Sequence, residues 1–128
     1  MLRFEKHITR QMLKNSPDTL FVFGDNMFGQ GLGGQAKEMR GEPNAVGIPT
    51  KYAPSMREAD FFINGDLKKA KPVIDERFTR LKQHAEKGGE IVWPEDGIGT
   101  GLAELEKRAP KIWAYIEDQF IELSKLCK

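Results

Sequence analysis

With a single cysteine, Cys127, the chain cannot form an internal disulfide, and its two histidines, His7 and His84, have no Cys, Asp or His at metal-ligand spacing. A structural or surface role is expected of both histidines, and neither a metal nor a cofactor is implied. Long apolar runs are also missing. None approaches the roughly 20 residues that cross a bilayer, and the opening MLRFEKHITR has charges where a secretory signal needs an apolar block. A soluble protein in a reducing, cytoplasmic setting is the expectation. Nor is there an excess of either charge: the formal net charge is +1, so no general basic field exists to hold nucleic acid or an anionic membrane, and any anion must be bound locally. The one basic cluster, Lys68, Lys69 and Lys71, is surrounded by Asp66, Asp75 and Glu76 and reads as a solvated helix face.

What is present suits one globular domain over residues 1–128, with hydrophobic residues at 39% and charged residues at 30%. TLFVF (19–23) and EIVW (90–93) are compact apolar runs bounded by turn residues, the pattern of strands buried on both faces of a sheet. Residues 2–6, 45–48 and the weaker FFI at 61–63 are further strand candidates. Helical periodicity covers residues 67–87, with Pro72 placing the start near Lys71, and about 102–126, where Pro110 kinks or restarts the helix. Shorter helices are expected over 9–15 and 33–40. Trp93 and Trp113 read as core. Strands alternating with helices imply βαβ units, and the expected architecture is a three-layer α/β/α sandwich with a mixed sheet of about five strands.

Two glycine-rich loops stand out, FVFGDNMFGQGLGGQ (21–35) and PEDGIGTGL (94–102). Each follows a strand candidate and precedes a helix, so both belong at the carboxyl ends of strands, where ligands of such sheets bind. Glycine allows close approach of backbone N–H groups and positive φ, and together such loops can grip a diphosphate without a lysine. Gly29, Gly31 and Gly34 match GxGxxG, but DNMF intervenes after the strand and no acid follows the next strand, so the context is wrong for a dinucleotide fold. No Gly-Lys-Ser/Thr follows either loop, which excludes the Walker pattern.

An aspartate and asparagine, a glycine-rich loop opening a helix, and a later Pro…Ile-Gly-x-Gly loop together resemble the macrodomain arrangement, a family that binds ADP-ribose. Within it, GQGLGGQAKEM, PTKYA and IGTGLAEL resemble three segments of the branch that includes terminal ADP-ribose protein glycohydrolase. The chain is also similar to small macro-like proteins of phage and bacterial origin. The resemblance implies a trimmed macrodomain that takes an ADP-ribose-like small molecule or an ADP-ribosylated macromolecule. It assigns Asp25 to the adenine and Asn26 to the distal ribose. Gly29, Gly31, Leu32, Gly33, Gly34 and Gln35 wrap one side of the diphosphate and distal ribose, and Gly97, Ile98, Gly99, Thr100 and Gly101 hold the other.

The same resemblance places Lys51 on the family's nucleophilic lysine. A lysine amine attacks an anomeric carbon only when deprotonated, which needs burial or a neighbouring cation, and an acid must help the leaving group depart. The family's acid directly after Gly-Leu is Ala103 here, leaving Asp96 and Glu104 as the available carboxylates. Hydrolysis of an ADP-ribosyl adduct or of ADP-ribose 1″-phosphate is therefore one reading. A non-catalytic reader of ADP-ribose signals is another, and a module holding the terminal phosphate of a polynucleotide is a third. Tyr52 and Phe28 flank polar loop residues and are candidates for lining a base, and Arg40 can either meet a phosphate or cap its helix.

Overall fold

Strand β2 (Leu20–Asn26) sends its side chains alternately to two apolar layers, Leu20 and Val22 to one face and Phe21 and Phe23 to the other. The computed structural model, which describes residues 1–101 and 103–127, places this strand inside a four-stranded sheet with β1 (Leu2–Glu5), β3 (Ala45–Lys51) and β4 (Ile91–Pro94). The order is β1-β4-β2-β3, and every pairing is parallel. Helices α1 (Arg10–Asn15) and α2 (Ala36–Met39) cover the Phe21 face through Leu13, Ala36 and Met39. Helices α3 (Leu67–Glu86), α4 (Leu105–Arg108) and α5 (Pro110–Leu126) cover the opposite face, where Ile74, Phe78, Leu81, Ile112 and Ile116 pack against Val22, Ile48, Ile91 and Trp93. Trp93 is core as expected, and Trp113 packs on the edge of the same cluster.

The α/β class is as the sequence implies, but the sheet has four strands rather than about five and is parallel rather than mixed. The difference lies in FFI. Phe61 makes a single antiparallel bridge with Lys51, between two 3₁₀ turns at Glu58–Asp60 and Asn64–Asp66 that leave no room for a ladder. Phe61 and Phe62 are buried, so the apolarity of this run plugs the core instead of extending the sheet.

Helix α3 starts at Leu67, earlier than Pro72 suggested, because the turn Asn64–Asp66 runs directly into it and Pro72 is accommodated in its second turn. Pro110 restarts the last helix at its first position, where a missing N–H costs nothing. The expected helix start at Leu102 lies outside the described residues. Among the described residues, no helix is long and apolar enough to cross a membrane.

This topology positions the site. Neighbouring strands β2 and β4 feed helices on opposite faces, β2 leading to α2 and β4 to α4 and α5. The two outgoing loops therefore diverge, and a crevice opens between them at the carboxyl edge of the sheet.

Candidate functional site

A cleft of about 270 Å³ occupies that crevice and is lined by both glycine loops. Gly24, Asp25 and Asn26 come from the end of β2, Thr50 and Lys51 from the end of β3, and Lys6 from just beyond β1. Gly31, Gly33, Gly34 and Gln35 form the wall leading to α2; Asp96, Gly97, Ile98, Gly99, Thr100 and Gly101 form the opposite wall. A Cβ built on Gly24 would lie 3.5 Å from the backbone N of Gly99 and 3.6 Å from Cβ of Ile98, so the second loop crosses directly over β2.

Three expected site residues are not on this surface. Gly29 turns the chain with φ +63°, its N–H donating to the carbonyl of Asn26 at 3.1 Å. Leu32 points to solvent, 65% exposed. Glu104 sits in the left-handed region at φ +45°, and its carboxylate pairs with Arg108 at 3.3 Å and Lys107 at 4.0 Å. It is the one non-glycine residue with positive φ among the described residues, and the strained turn it makes brings the neighbouring Ala103 onto the cleft wall.

The polar side chains of the first loop are largely spent on the loop itself. Asn26 donates from Nδ2 to the carbonyl of Gln30 at 2.6 Å, and its Oδ1 accepts from the N–H groups of Phe28 and Gln30. This is an Asx-type loop brace, which the adjacency of Asn26 to a turn could have signalled. The carboxylate of Asp25 is held by Arg40 at 2.6 and 3.2 Å and accepts the N–H of Asn26 at 2.8 Å. It fills the space above Gly47, where a Cβ would meet Asp25 Oδ2 at 2.5 Å. Arg40 is the C-cap residue of α2, its N–H donating to the carbonyl of Ala36 at 2.9 Å, while its guanidinium is spent on Asp25 and the loop carbonyls. Tyr52 is committed elsewhere: its hydroxyl donates to Asp66 at 2.6 Å and its ring packs edge-on against Phe62, while Phe28 is exposed.

What the loops leave free is backbone. Among the described residues, no acceptor meets the N–H groups of Gly31, Gly33, Gly34 and Gln35 on one wall, or those of Ile98, Gly99, Thr100 and Gly101 on the other. Residues that carry these unpaired N–H groups line both walls of the cleft, and a backbone N–H left without an acceptor is available to a ligand that supplies one.

Lys51 is 6% exposed at the cleft floor. Its Nζ donates to the carbonyl of Ser55 at 2.6 Å and lies 4.2 Å from the centre of the Phe61 ring, which also carries the Arg108 guanidinium at 3.8 Å. Burial lowers the amine's pKa from its ordinary 10.5, nearby Asp60 opposes the shift, and Arg108 adds to it. Asp60 is engaged by Ser55 and Arg57. Asp96 is exposed on the second loop, and its carbonyl accepts the Thr100 hydroxyl at 3.2 Å.

Lys6 and Thr50 join the cleft without having been singled out in the sequence. Lys6 directly follows a strand and so belongs at a carboxyl end, a signal that strand polarity alone provides. Thr50 ties the strand ends together, its hydroxyl donating to the carbonyl of Asp25 at 3.1 Å.

No curated protein and no solved structure matches the chain. Residues 3–119 match DUF7831, a family of unknown function, and the chain belongs to that family.

Proposed function

We propose that this protein binds ADP-ribose or a closely related nucleotide in the cleft between its two glycine loops. The observation that carries the reading is the pair of facing walls of unpaired backbone N–H groups at the carboxyl ends of β2 and β4. A diphosphate, with acceptor oxygens on both sides of its bridge, satisfies both walls at once.

Hydrolysis of an ADP-ribosyl adduct, or of ADP-ribose 1″-phosphate, is the activity this arrangement favours. Lys51 supports it: a buried amine with a lowered pKa holds more of its deprotonated form near neutrality than a surface lysine. In that reaction the Nζ lone pair forms a bond to the anomeric carbon as the bond to the leaving carboxylate or phosphate oxygen breaks with its electrons going to that oxygen; the nitrogen loses a proton, and water then attacks the same carbon and breaks the C–N bond, releasing ADP-ribose and returning the amine. Asp96, on the cleft wall, and Glu104, whose charge acts on the Lys51 amine although it pairs with Arg108, are the carboxylates proposed to handle the protons.

A second reading, a reader that binds without cleaving, is favoured by Ala103, an apolar residue on the cleft wall where the macrodomain resemblance expects an acid. Incubation with ADP-ribosylated protein separates them: release of ADP-ribose that is lost in Lys51→Ala supports hydrolysis, and binding without release supports the reader. Binding itself is tested by thermal shift with ADP-ribose, ADP and pyrophosphate. Saturating ADP-ribose raises the melting temperature by several degrees, whereas no shift with any of the three excludes the site as a diphosphate clamp.

A further inference from the structure

The two edges of the sheet are finished differently. At β3 the outer edge is blunted: Arg77 of α3 donates from Nε to the carbonyl of Gly47 at 3.1 Å, Arg80 reaches the carbonyls of Ala45 and Pro43 at 3.5 and 2.7 Å, and Phe61 bridges Lys51. At the other edge β1 pairs with β4 alone. The carbonyls of Met1 and Glu5 accept from the N–H groups of Ile91 at 2.8 Å and Glu95 at 2.9 Å. Backbone groups alternate sides along a strand, so the N–H and carbonyl of Leu2 and Phe4 point away from β4, where among the described residues nothing meets them. The side chains along this edge are also incompletely covered. Phe4 is 52% exposed although its ring lies 6.1 Å from that of Phe120 in α5, and Met1 and Ile121 are exposed as well. On the opposite face of the strand Arg3 pairs with Glu5 and, at 3.1 Å, with Glu90.

We propose that a second copy of this chain extends the sheet through β1, antiparallel and about a two-fold axis at Phe4. The run Leu2-Arg3-Phe4-Glu5-Lys6 is its own complement in that register. Phe4 and the partner's Phe4 exchange two N–H···O bonds, and the outward backbone groups of Leu2 fall beside the partner's Lys6. Arg3 stands across from the partner's Glu5, and Glu5 from the partner's Arg3, at the non-hydrogen-bonded positions where side chains come closest. Charge also fixes the register. Sliding by two residues, the smallest shift that keeps the free backbone groups facing, sets Arg3 against the partner's Arg3 or Glu5 against the partner's Glu5. An axis normal to the sheet keeps both copies of α5 on one face, so the exposed Phe4 rings cover each other beside Phe120. The partner's strands run the opposite way, which opens the two clefts at opposite ends of the joined sheet, and the pairing is therefore independent of the nucleotide reading.

Sedimentation equilibrium of the full chain from about 1 μM to about 300 μM tests this, with circular dichroism and melting temperatures showing which variants are folded. Wild type should be largely dimeric at about 100 μM. Phe4→Lys, which sets two ammonium groups face to face at the axis, should weaken the dimer about tenfold or more. Arg3→Glu and Glu5→Arg should each weaken it similarly when alone, because like charges then stand across the interface. An equimolar mixture of the two should form a mixed dimer with an affinity within about threefold of wild type, since every carboxylate again faces a guanidinium. Wild type that stays monomeric throughout overturns the proposal, as does a dimer that Phe4→Lys leaves intact, which would place the contact elsewhere. A mixture of folded charge variants that does not associate overturns it too, by removing the two-fold register. Where a charge variant fails to fold, Phe4→Lys, which touches neither charge, decides.

Discussion

The guanidinium of Arg40 grips the carboxylate of Asp25 with Nη2 at 2.6 Å from Oδ1 and Nη1 at 3.2 Å from Oδ2, while Nε donates to the carbonyl of Gly31 at 2.7 Å and Nη2 to that of Gln30 at 3.1 Å. One side chain from the end of α2 therefore fastens the glycine loop to β2. Both partners are largely buried, with side chains 20% and 12% exposed, so the pair is screened less than a surface bridge. Removing the guanidinium leaves the Asp25 carboxylate without its charged partner and frees the loop.

Arg40→Ala is expected to cost about 2 kcal/mol of stability, measured by urea unfolding, and to weaken ADP-ribose binding more than that loss explains. Arg40→Lys restores the charge but cannot reproduce the fork to Asp25 and two carbonyls, so it recovers stability only in part. Wild-type binding by Arg40→Ala would show that the loop needs no fastening.

The glycines that line the cleft differ in what a side chain would meet. A Cβ on Gly31 would meet Pro54 at 2.7 Å and one on Gly99 would meet Leu105 at 2.8 Å, and both residues have positive φ, at +91° and +73°. Valine at either is expected to lower stability by about 1–3 kcal/mol. Gly101 has neither positive φ nor an atom within 4 Å of a Cβ among the described residues. Gly101→Val should therefore melt close to wild type while losing nucleotide binding, which thermal unfolding and titration of the same sample check together.

Lys51 gives a pH dependence with a defined sign. Its folded pKa lies below 10.5, so between the folded pKa and 10.5 the unfolded chain binds more protons than the native one, and stability rises with pH through that window. Relative to Lys51→Met, which has no charge to desolvate, wild type should gain stability as the pH is raised from neutrality toward 10.5. If turnover uses the neutral amine, its rate climbs through the same window and is absent from the variant.

Tyr52 behaves oppositely. Burial and its hydrogen bond to Asp66 push the phenol up to about 12 from 10.0. Above the ordinary value the native state holds the proton that the unfolded chain has released, so stability is full below pH 10 and falls between pH 10 and about 12. Tyr52→Phe should flatten that alkaline decline, measured as urea midpoints across the range.

The pattern of buried runs made the alternating α/β organisation legible, because strands such as TLFVF and EIVW have no polar side chains to show to water. Both loops were legible as one site because strand polarity puts them at the same edge. The side chains were harder to read. Asp25 and Asn26 look like ligand contacts in the sequence, yet Arg40, fifteen residues from Asp25, and the local turn take up most of their hydrogen-bonding capacity. Gly31 and Gly99 look like phosphate positions, but the direction of a missing Cβ is fixed only by tertiary packing against Pro54 and Leu105. FFI read as a strand because burial in the core and burial in a sheet leave the same apolar signature over three residues.

Titration calorimetry of the wild-type protein with ADP-ribose addresses the central claim most directly. Saturable binding at one site per chain is expected, with a dissociation constant below about millimolar, lost in Gly101→Val while that variant remains folded. Absence of binding at millimolar ADP-ribose to a folded wild-type sample, or unaltered binding by Gly101→Val, would contradict it.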